Sequence, residues 1–301
     1  MLRSRPRPAL AALWLSGLVT ALGMGCAPAV DPGKDAADAG PEYPSVARVL
    51  VLGDSISTGT GASEPDVLSY YALLYDDDGS GEHGEPDDDL KARFGEELLF
   101  RQLAQGGATS GDFAASLCTG CDDNALQGLF ESRETWPPEG HTVVVMTIGG
   151  NDLGGRLLAG DYTGAILDDA IANLRSIVGF LQDPAHFPDG TSIFVASIYD
   201  PSDGEDHASG CLFDVEFPGI SEAIDVWHAR YEALSAELGF TVVDATSHFR
   251  GHGWNYANPQ NPFYDEDDPS LWFSDCIHPN DRGHHELRRL FRAAIDEALR
   301  R

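Results

Sequence analysis

Five short apolar runs, rich in β-branched residues, alternate along the chain with segments of helical periodicity. Such runs are typical of strands buried on both faces, which occur in parallel sheets because helices cover both sides. The alternation predicts a doubly wound α/β sandwich around a central parallel sheet of about five strands. The predicted strands are Ala47–Leu52, Glu97–Leu103, Thr142–Ile148, Ser192–Ile198 and Thr241–Asp244. The predicted helices are Asp66–Leu74, Asn124–Arg133, Ala165–Leu181, Ser221–Leu238 and Arg282–Leu299.

Three longer segments interrupt this alternation, at residues 76–92, 200–220 and 250–274, and long loops of this kind are often binding elements or lids. The first is strongly acidic and has the spacing of a twelve-residue calcium loop, with aspartate where glutamate is usual. Because so acidic a run matches that spacing by accident, a solvated loop is the favoured interpretation, and no resident metal or cofactor is expected. The candidate calcium ligands are Asp76, Asp78, Ser80 and Asp87.

The N-terminus has the pattern of a bacterial export signal. Three arginines precede an apolar stretch at residues 9–24, which is short for a membrane-spanning helix. The stretch ends at Cys26 in a sequence that resembles a lipobox, so Cys26 is the candidate lipidation site and membrane tether. We expect an outer-membrane or cell-surface lipoprotein, with secretion or periplasmic release as the alternative. The predicted organisation is a signal peptide over 1–26, a flexible linker over 27–44 and one folded domain over 45–301.

The cysteine count fits an oxidising compartment. If Cys26 carries lipid, an even number of cysteines remains, and four cysteines allow three disulfide pairings. The pairing that is local in sequence joins Cys118 to Cys121 and leaves Cys211 with Cys276. A redox-active Cys-x-x-Cys is the alternative interpretation of the first pair, but nothing thioredoxin-like surrounds it.

The chain carries a formal net charge of −30, from 49 acidic and 19 basic residues. Such a surface repels phosphate backbones, so nucleic acid is not expected as a partner. No protein partner is predicted, and a small-molecule ligand remains the expected binding partner.

A candidate catalytic triad is split between the two ends of the domain. Ser55 follows the first predicted strand in Gly-Asp-Ser, where a glycine permits a sharp turn that exposes the hydroxyl at the edge of the sheet. A serine nucleophile needs a base near neutral pH, and an imidazole needs a carboxylate that fixes its tautomer. Asp275 and His278, three residues apart and just before the last helix, meet that need.

Two further segments supply candidate donors for an oxyanion hole. Gly107 follows the second predicted strand, and Asn151 follows the third. A glycine presents an unobstructed backbone N–H and an asparagine presents a side-chain amide, both of which stabilise developing negative charge. Because the carboxyl ends of parallel strands meet at one edge of a sheet, these donors are expected near Ser55.

Together these four blocks resemble the SGNH hydrolases, also called GDSL esterases and lipases, over residues 53–279. The resemblance implies a flavodoxin-like three-layer α/β/α sandwich and metal-independent ester hydrolysis. It assigns Ser55 as nucleophile, Asp275 and His278 as its activating pair, and the N–H groups of Ser55 and Gly107 with the Asn151 amide as oxyanion hole. One departure is Gln102, where the second block usually opens with asparagine.

The expected activity is hydrolysis of lipid or small acyl esters through an acyl-enzyme on Ser55. A carbohydrate O-deacetylase or an acyltransferase would use the same triad, and a non-catalytic surface binding protein is the alternative from another class. A lipolytic site would be lined by Tyr70, Tyr71, Phe113 and Leu153. A site for acylated sugars would be lined by Trp254, Tyr256 and Trp272.

Overall fold

The structure is a computed structural model that describes most of the folded domain. The described residues are 45–79, 84–117, 136–137, 139–154, 162–208, 210–211 and 216–300. Several predictions fall outside them: the signal peptide 1–26, the linker 27–44, the helix 124–133, and the residues Cys26, Ser80, Cys118 and Cys121.

A five-stranded parallel sheet forms the centre of the domain, and its strand order is β2-β1-β3-β4-β5. The strand order reverses between β1 and β3. Doubly wound folds bind ligands at such a point, beyond the carboxyl ends of the two strands. The predicted fold class is confirmed. The strands are β1 (Val46–Gly53), β2 (Leu99–Gln102), β3 (His141–Thr147), β4 (Thr191–Ala196) and β5 (Thr241–Val243).

Nine helices are present among the described residues. The prediction of one helix over Asp66–Leu74 is wrong, because Ser69 is extended and its hydroxyl caps a new helix by accepting from the Ala72 N–H. Among the described residues, no helix combines the length and apolar character needed to span a membrane. The helices are α1 (Pro65–Leu68), α2 (Tyr70–Tyr75), α3 (Leu90–Phe94), α4 (Ser110–Ser116), α5 (Gly150–Gly154), α6 (Ala165–Leu181), α7 (Ile220–Leu238), α8 (Ala245–His248) and α9 (Asp281–Leu299).

Alternate strand residues pack against helices on opposite faces of the sheet. On one face, Leu50 and Val144 belong to a buried cluster completed by α4, α6 and α7. On the other face, Val49 and Val143 pack against α2 and α9. The two cores make the three-layer sandwich, which holds the carboxyl ends of the strands rigidly at one edge.

The acidic segment after α2 is held by arginines of α9. The buried Arg288 guanidinium donates to Glu85 Oε2 at 2.8 Å and lies 3.5 Å from the buried Asp77 carboxylate. Asp76, a candidate calcium ligand, instead accepts from Lys91 Nζ at 2.8 Å. No cluster of three or more metal-ligating side chains occurs within the described part of the chain. Protein cations thus neutralise these carboxylates.

Candidate active site

The turn after β1 presents Ser55 at the carboxyl edge of the sheet. Gly53 has φ +116°, and a Cβ there would lie 1.9 Å from the Thr147 carbonyl oxygen of the neighbouring strand, so only glycine fits. The Asp54 N–H then donates to the same carbonyl at 3.0 Å. The Ser55 carbonyl accepts from the Thr58 hydroxyl at 2.8 Å, which fixes the turn from its far side.

The turn before α9 brings His278 and Asp275 to Ser55. The Ser55 Oγ lies 2.9 Å from His278 Nε2, and His278 Nδ1 lies 2.8 Å from Asp275 Oδ2. The other carboxylate oxygen, Asp275 Oδ1, accepts from the backbone N–H groups of Ile277 and His278 at 2.9 and 2.8 Å. Residues separated by 223 positions therefore form one continuous hydrogen-bonded chain.

Hydrogen bonds keep the Asp275 carboxylate ionised. Its partial burial alone would raise the pKa, but the Ile277 N–H, the His278 ring and the His278 N–H together hold the pKa of Asp275 below its usual range. An ionised carboxylate accepts a hydrogen bond from the N–H group at His278 Nδ1, which leaves Nε2 as the acceptor that faces the Ser55 hydroxyl.

The two predicted oxyanion segments are connected to each other. The Asn151 amide, at the start of α5, donates to the Ala108 carbonyl at 2.9 Å. The preceding residue, Gly107, has φ +80°, and a Cβ there would meet nothing within 4 Å. Glycine is favoured at this position because of its backbone conformation and not for lack of space. Asn151 lines the same cavity as Ser55 and His278. The bond to Ala108 ties the Gly107 loop to this edge of the sheet.

A carboxylate that was not assigned a role from the sequence strengthens this connection. Asp152 Oδ2 accepts from the Ser110 N–H at 2.8 Å and Asp152 Oδ1 accepts from the Ser110 hydroxyl at 2.7 Å. Ser110 begins α4, so Asp152 satisfies donors at the start of that helix. The Asn151-Asp152 pair marked this carboxylate in the sequence, but its partner Ser110 lies 42 positions away, so the contact could not be predicted.

Asp54 is a fully buried carboxylate directly before Ser55. Its Oδ1 accepts from the Thr147 hydroxyl at 2.7 Å and from the Ile56 N–H at 3.1 Å. Burial raises the pKa of Asp54 to about 6, although these hydrogen bonds and the positive field of His278 oppose the rise. The folded protein therefore holds a proton on Asp54 at pH values where the unfolded chain has lost it.

We expect Asp54→Asn to raise stability at neutral pH. The wild-type protein loses stability as the pH rises from about 4 to 6, because the unfolded chain ionises more readily, and the penalty above pH 6 is about 3 kcal/mol. Asparagine keeps the Oδ1 acceptor without a buried charge. Urea unfolding of both proteins at pH 4 and pH 8 measures this. A difference between them that is the same at both pH values would contradict the shifted pKa.

A disulfide joins Cys211 to Cys276, inside the Asp275–His278 turn. It connects the 200–220 segment to the turn, and both cysteines line the cavity at Ser55. The pairing is the one that remained after the local pair Cys118–Cys121. In this position the bridge restrains the turn that carries the carboxylate and the imidazole of the candidate triad.

Reduction of this disulfide is expected to lower the activity of the candidate triad about tenfold at 25 °C, or by about 1.4 kcal/mol of transition-state stabilisation, while the protein remains folded. The bridge spans 65 residues, and in the chain-entropy model a crosslink of that size contributes about 4 kcal/mol to the free energy of unfolding. Circular dichroism therefore has to show that the reduced protein is still folded. Activity, circular dichroism and free-thiol content are measured together, and Cys211→Ser with Cys276→Ser is the matched variant. Full activity with both thiols free would show that the bridge does not position the turn.

The sequence matches the model of the GDSL-like lipase/acylhydrolase family over residues 51–286, a range that includes every residue of this site. The chain belongs to this family. It is a carboxylic ester hydrolase, and the resemblance noted from its four sequence blocks is confirmed. No curated protein sequence matches the chain.

Solved structures share the fold of this acylhydrolase. The acetyl xylan esterase AlAXEase is 18% identical over 82% of this chain and 99% of its own, with a TM-score of 0.51. LAE5, an α/β hydrolase from the metagenome of Lake Arreo in Spain, is 19% identical over 85% and 98%, with a TM-score of 0.53. A catalytic mutant of Axe2, an acetylxylan esterase from Geobacillus stearothermophilus, is 18% identical over 84% and 95%, with a TM-score of 0.52. At these identities the likeness concerns the fold.

Two aromatic residues of the acylhydrolase brace the turn, a role that was not assigned to either from the sequence. The buried Tyr199 hydroxyl, just past β4, donates to the Ile277 carbonyl at 2.6 Å. The Trp254 indole N–H donates to the Asp275 carbonyl at 3.1 Å. Tyr199 follows β4 at the carboxyl edge of the sheet, and this position could have marked it as a candidate residue of the site. Trp254 lies in the 250–274 segment, whose path the sequence does not reveal.

The residues predicted to line a lipolytic or a sugar site lie mostly elsewhere. Leu153 lines the cavity at Ser55, but Tyr70 is buried in the second core, where its hydroxyl lies 2.6 Å from Ser57 Oγ. Phe113 belongs to the first core. Trp272 is buried against the His252 ring, with ring centroids 3.5 Å apart. Apart from Leu153, the apolar wall beside Ser55 is therefore built from other residues.

Proposed function

We propose that this acylhydrolase cleaves carboxylic esters in two steps through an acyl-enzyme on Ser55. The observation that carries the proposal is the hydrogen-bonded chain from Ser55 Oγ to His278 Nε2 at 2.9 Å and from His278 Nδ1 to Asp275 at 2.8 Å. These are the distances over which an imidazole exchanges a proton with a serine hydroxyl. The family membership of the chain supports the same reaction class.

In the first step, His278 Nε2 takes the hydroxyl proton while Ser55 Oγ attacks the ester carbonyl carbon. The carbonyl oxygen becomes an oxyanion, which the N–H groups of Ser55 and Gly107 and the second N–H of the Asn151 amide stabilise. The tetrahedral intermediate then expels the alcohol, and His278 donates its proton to the departing oxygen. Asp275 stabilises the imidazolium throughout and keeps its orientation.

In the second step, His278 takes a proton from water, and the resulting hydroxide attacks the acyl carbonyl carbon of the Ser55 ester. Collapse of this intermediate releases the carboxylic acid and returns the proton to Ser55 Oγ. An alcohol in place of water at this point gives acyl transfer instead. Acceptor kinetics therefore distinguish the acyltransferase alternative, since an added alcohol would increase ester formation at the expense of acid.

The test is direct trapping of the acyl-enzyme. Wild-type protein mixed with excess p-nitrophenyl butyrate and quenched in acid is expected to gain one butyryl mass on the peptide that contains Ser55, and Ser55→Ala is expected to gain none. Labelling of another residue would contradict the proposed nucleophile. Acetylated xylan belongs in the substrate panel because two of the proteins with similar structures, AlAXEase and Axe2, are acetylxylan esterases.

A further inference from the structure

A cavity of about 550 Å³ is bounded on one side by Ser55, Asn151 and His278. Most of the rest of its wall comes from residues that follow β3 and β4 and from the first turns of α7. A volume of this size falls within the range of about 300–1,000 Å³ that is typical of ligand pockets. The apolar side chains of the wall include Ile148, Leu153, Ile198, Phe217, Ile220 and Ile224.

Polar side chains in the wall are already hydrogen-bonded within the protein. Asp200 Oδ1 accepts from the N–H and the hydroxyl of Ser202 at 2.8 and 2.6 Å. Ser197 Oγ accepts from the backbone N–H of Thr246 at 3.0 Å and from its hydroxyl at 2.8 Å. Because these oxygens already have partners, the wall favours apolar groups over the hydroxyls of a sugar.

We infer that this cavity binds the acyl part of the substrate and that this part is an apolar chain of about six or more carbons. The inference rests on the proposed acyl-enzyme at Ser55. The acyl group stays attached to Ser55 while the alcohol leaves, so an apolar wall next to Ser55 suits the group that is retained.

The cavity is much larger than an acetyl group. A water molecule, which is similar in size to a methylene group, takes about 30 Å³ in the liquid, so an octanoyl chain fits inside the cavity. An acetyl group would leave most of the apolar wall without a contact. Each methylene group that leaves water for this wall raises kcat/KM by up to about fourfold.

Ala208 and Phe217 are two positions in the wall where a change of side-chain size should change the usable space. Ala208 is buried in the wall, where its methyl group leaves room that a larger side chain would take. Phe217 is only half-buried and lines the same cavity, so its removal widens the cavity without opening a sealed core. Substitutions of these two residues therefore change chain-length preference in opposite directions.

The experiment measures kcat/KM for p-nitrophenyl acetate, butyrate, octanoate and palmitate with wild-type protein, Ala208→Phe and Phe217→Ala. Wild type is expected to prefer octanoate to acetate by at least about tenfold. Ala208→Phe should lower the octanoate-to-acetate ratio at least tenfold, and Phe217→Ala should shift the optimum toward palmitate. Ala229→Phe, on an exposed position of α7, adds the same bulk outside the cavity and should leave the ratio unchanged.

The outcomes separate this inference from the proposed function. Ser55-dependent hydrolysis with a preference for acetate, or an unchanged ratio in Ala208→Phe that labels fully with a fluorophosphonate probe, would overturn the acyl cavity and leave the esterase intact. Absence of Ser55-dependent hydrolysis of every ester would overturn both. Probe labelling and thermal melting show whether each variant is folded, and Phe217→Ala provides an independent readout if Ala208→Phe does not fold.

Discussion

Ser55→Ala is expected to lower kcat/KM for p-nitrophenyl butyrate by at least about three orders of magnitude, while the protein stays folded. The substitution removes the nucleophile and leaves His278 held by Asp275 at 2.8 Å. Residual activity above the rate in water is expected because the oxyanion donors and the substrate wall remain. Since the triad acts as a unit, adding His278→Ala to Ser55→Ala should cost little more.

A matched control for this variant lies eight residues further along the chain. Ser63 is exposed, and its hydroxyl donates to Asp281 Oδ2 at 2.6 Å, away from the triad. Ser63→Ala should therefore retain activity close to that of the wild-type protein. Activity of Ser55→Ala within tenfold of wild type, measured after removal of any contaminating esterase, would contradict the assignment of Ser55 as nucleophile.

The residues of the candidate triad could be predicted from the sequence because each follows a strand or lies in a turn at the carboxyl edge of the sheet. Ser55 follows β1, and Asp275 and His278 lie in a short turn whose spacing places carboxylate and ring together. A parallel sheet brings the carboxyl ends of its strands to one edge, so residues that follow different strands lie close together. The structure places these side chains in contact, and their catalytic roles remain a proposal that the Ser55 variants test.

The contacts that hold the turn and the loops around it could not be predicted from the sequence, because they depend on the paths of long loops. The bond from Tyr199 to the Ile277 carbonyl spans 78 positions, and no local pattern marks it. Asp203 likewise holds the 250–274 segment by accepting from the N–H groups of Gly251, Gly253 and Asn255 at 2.8 to 3.0 Å. Apolar periodicity reports which residues are buried, and it does not report which loop they cover.

The helix boundaries show the same division between local and tertiary causes. The long amphipathic helix α6 ends where its periodicity ends, at Ala165 and Leu181 as predicted. The segment after Pro65 has helical periodicity too, yet it breaks at Ser69. A side-chain cap at Ser69 and the contact of the Tyr70 hydroxyl with Ser57 Oγ at 2.6 Å favour a break over a continuous helix.

Asp275→Asn is the second variant for which a large loss is expected, about 10³- to 10⁴-fold in kcat. The asparagine carbonyl oxygen keeps the two backbone N–H bonds now made by Asp275 Oδ1, at 2.9 and 2.8 Å. The opposite orientation would set the amide N–H groups against those two donors. The amide nitrogen must therefore face His278 Nδ1, where an ionised oxygen lies now.

That orientation inverts the tautomer of His278. An amide donor at Nδ1 makes Nδ1 the acceptor, which places the ring proton on Nε2, facing the Ser55 hydroxyl it should deprotonate. The expected result is a loss in kcat with little change in KM or melting temperature, and ¹⁵N NMR of the ring shows which nitrogen is protonated. Asp267→Asn, at an exposed position in the neighbouring loop, is the matched control. A kcat within tenfold of wild type, with the proton still on Nδ1, would show that Asp275 does not set the tautomer.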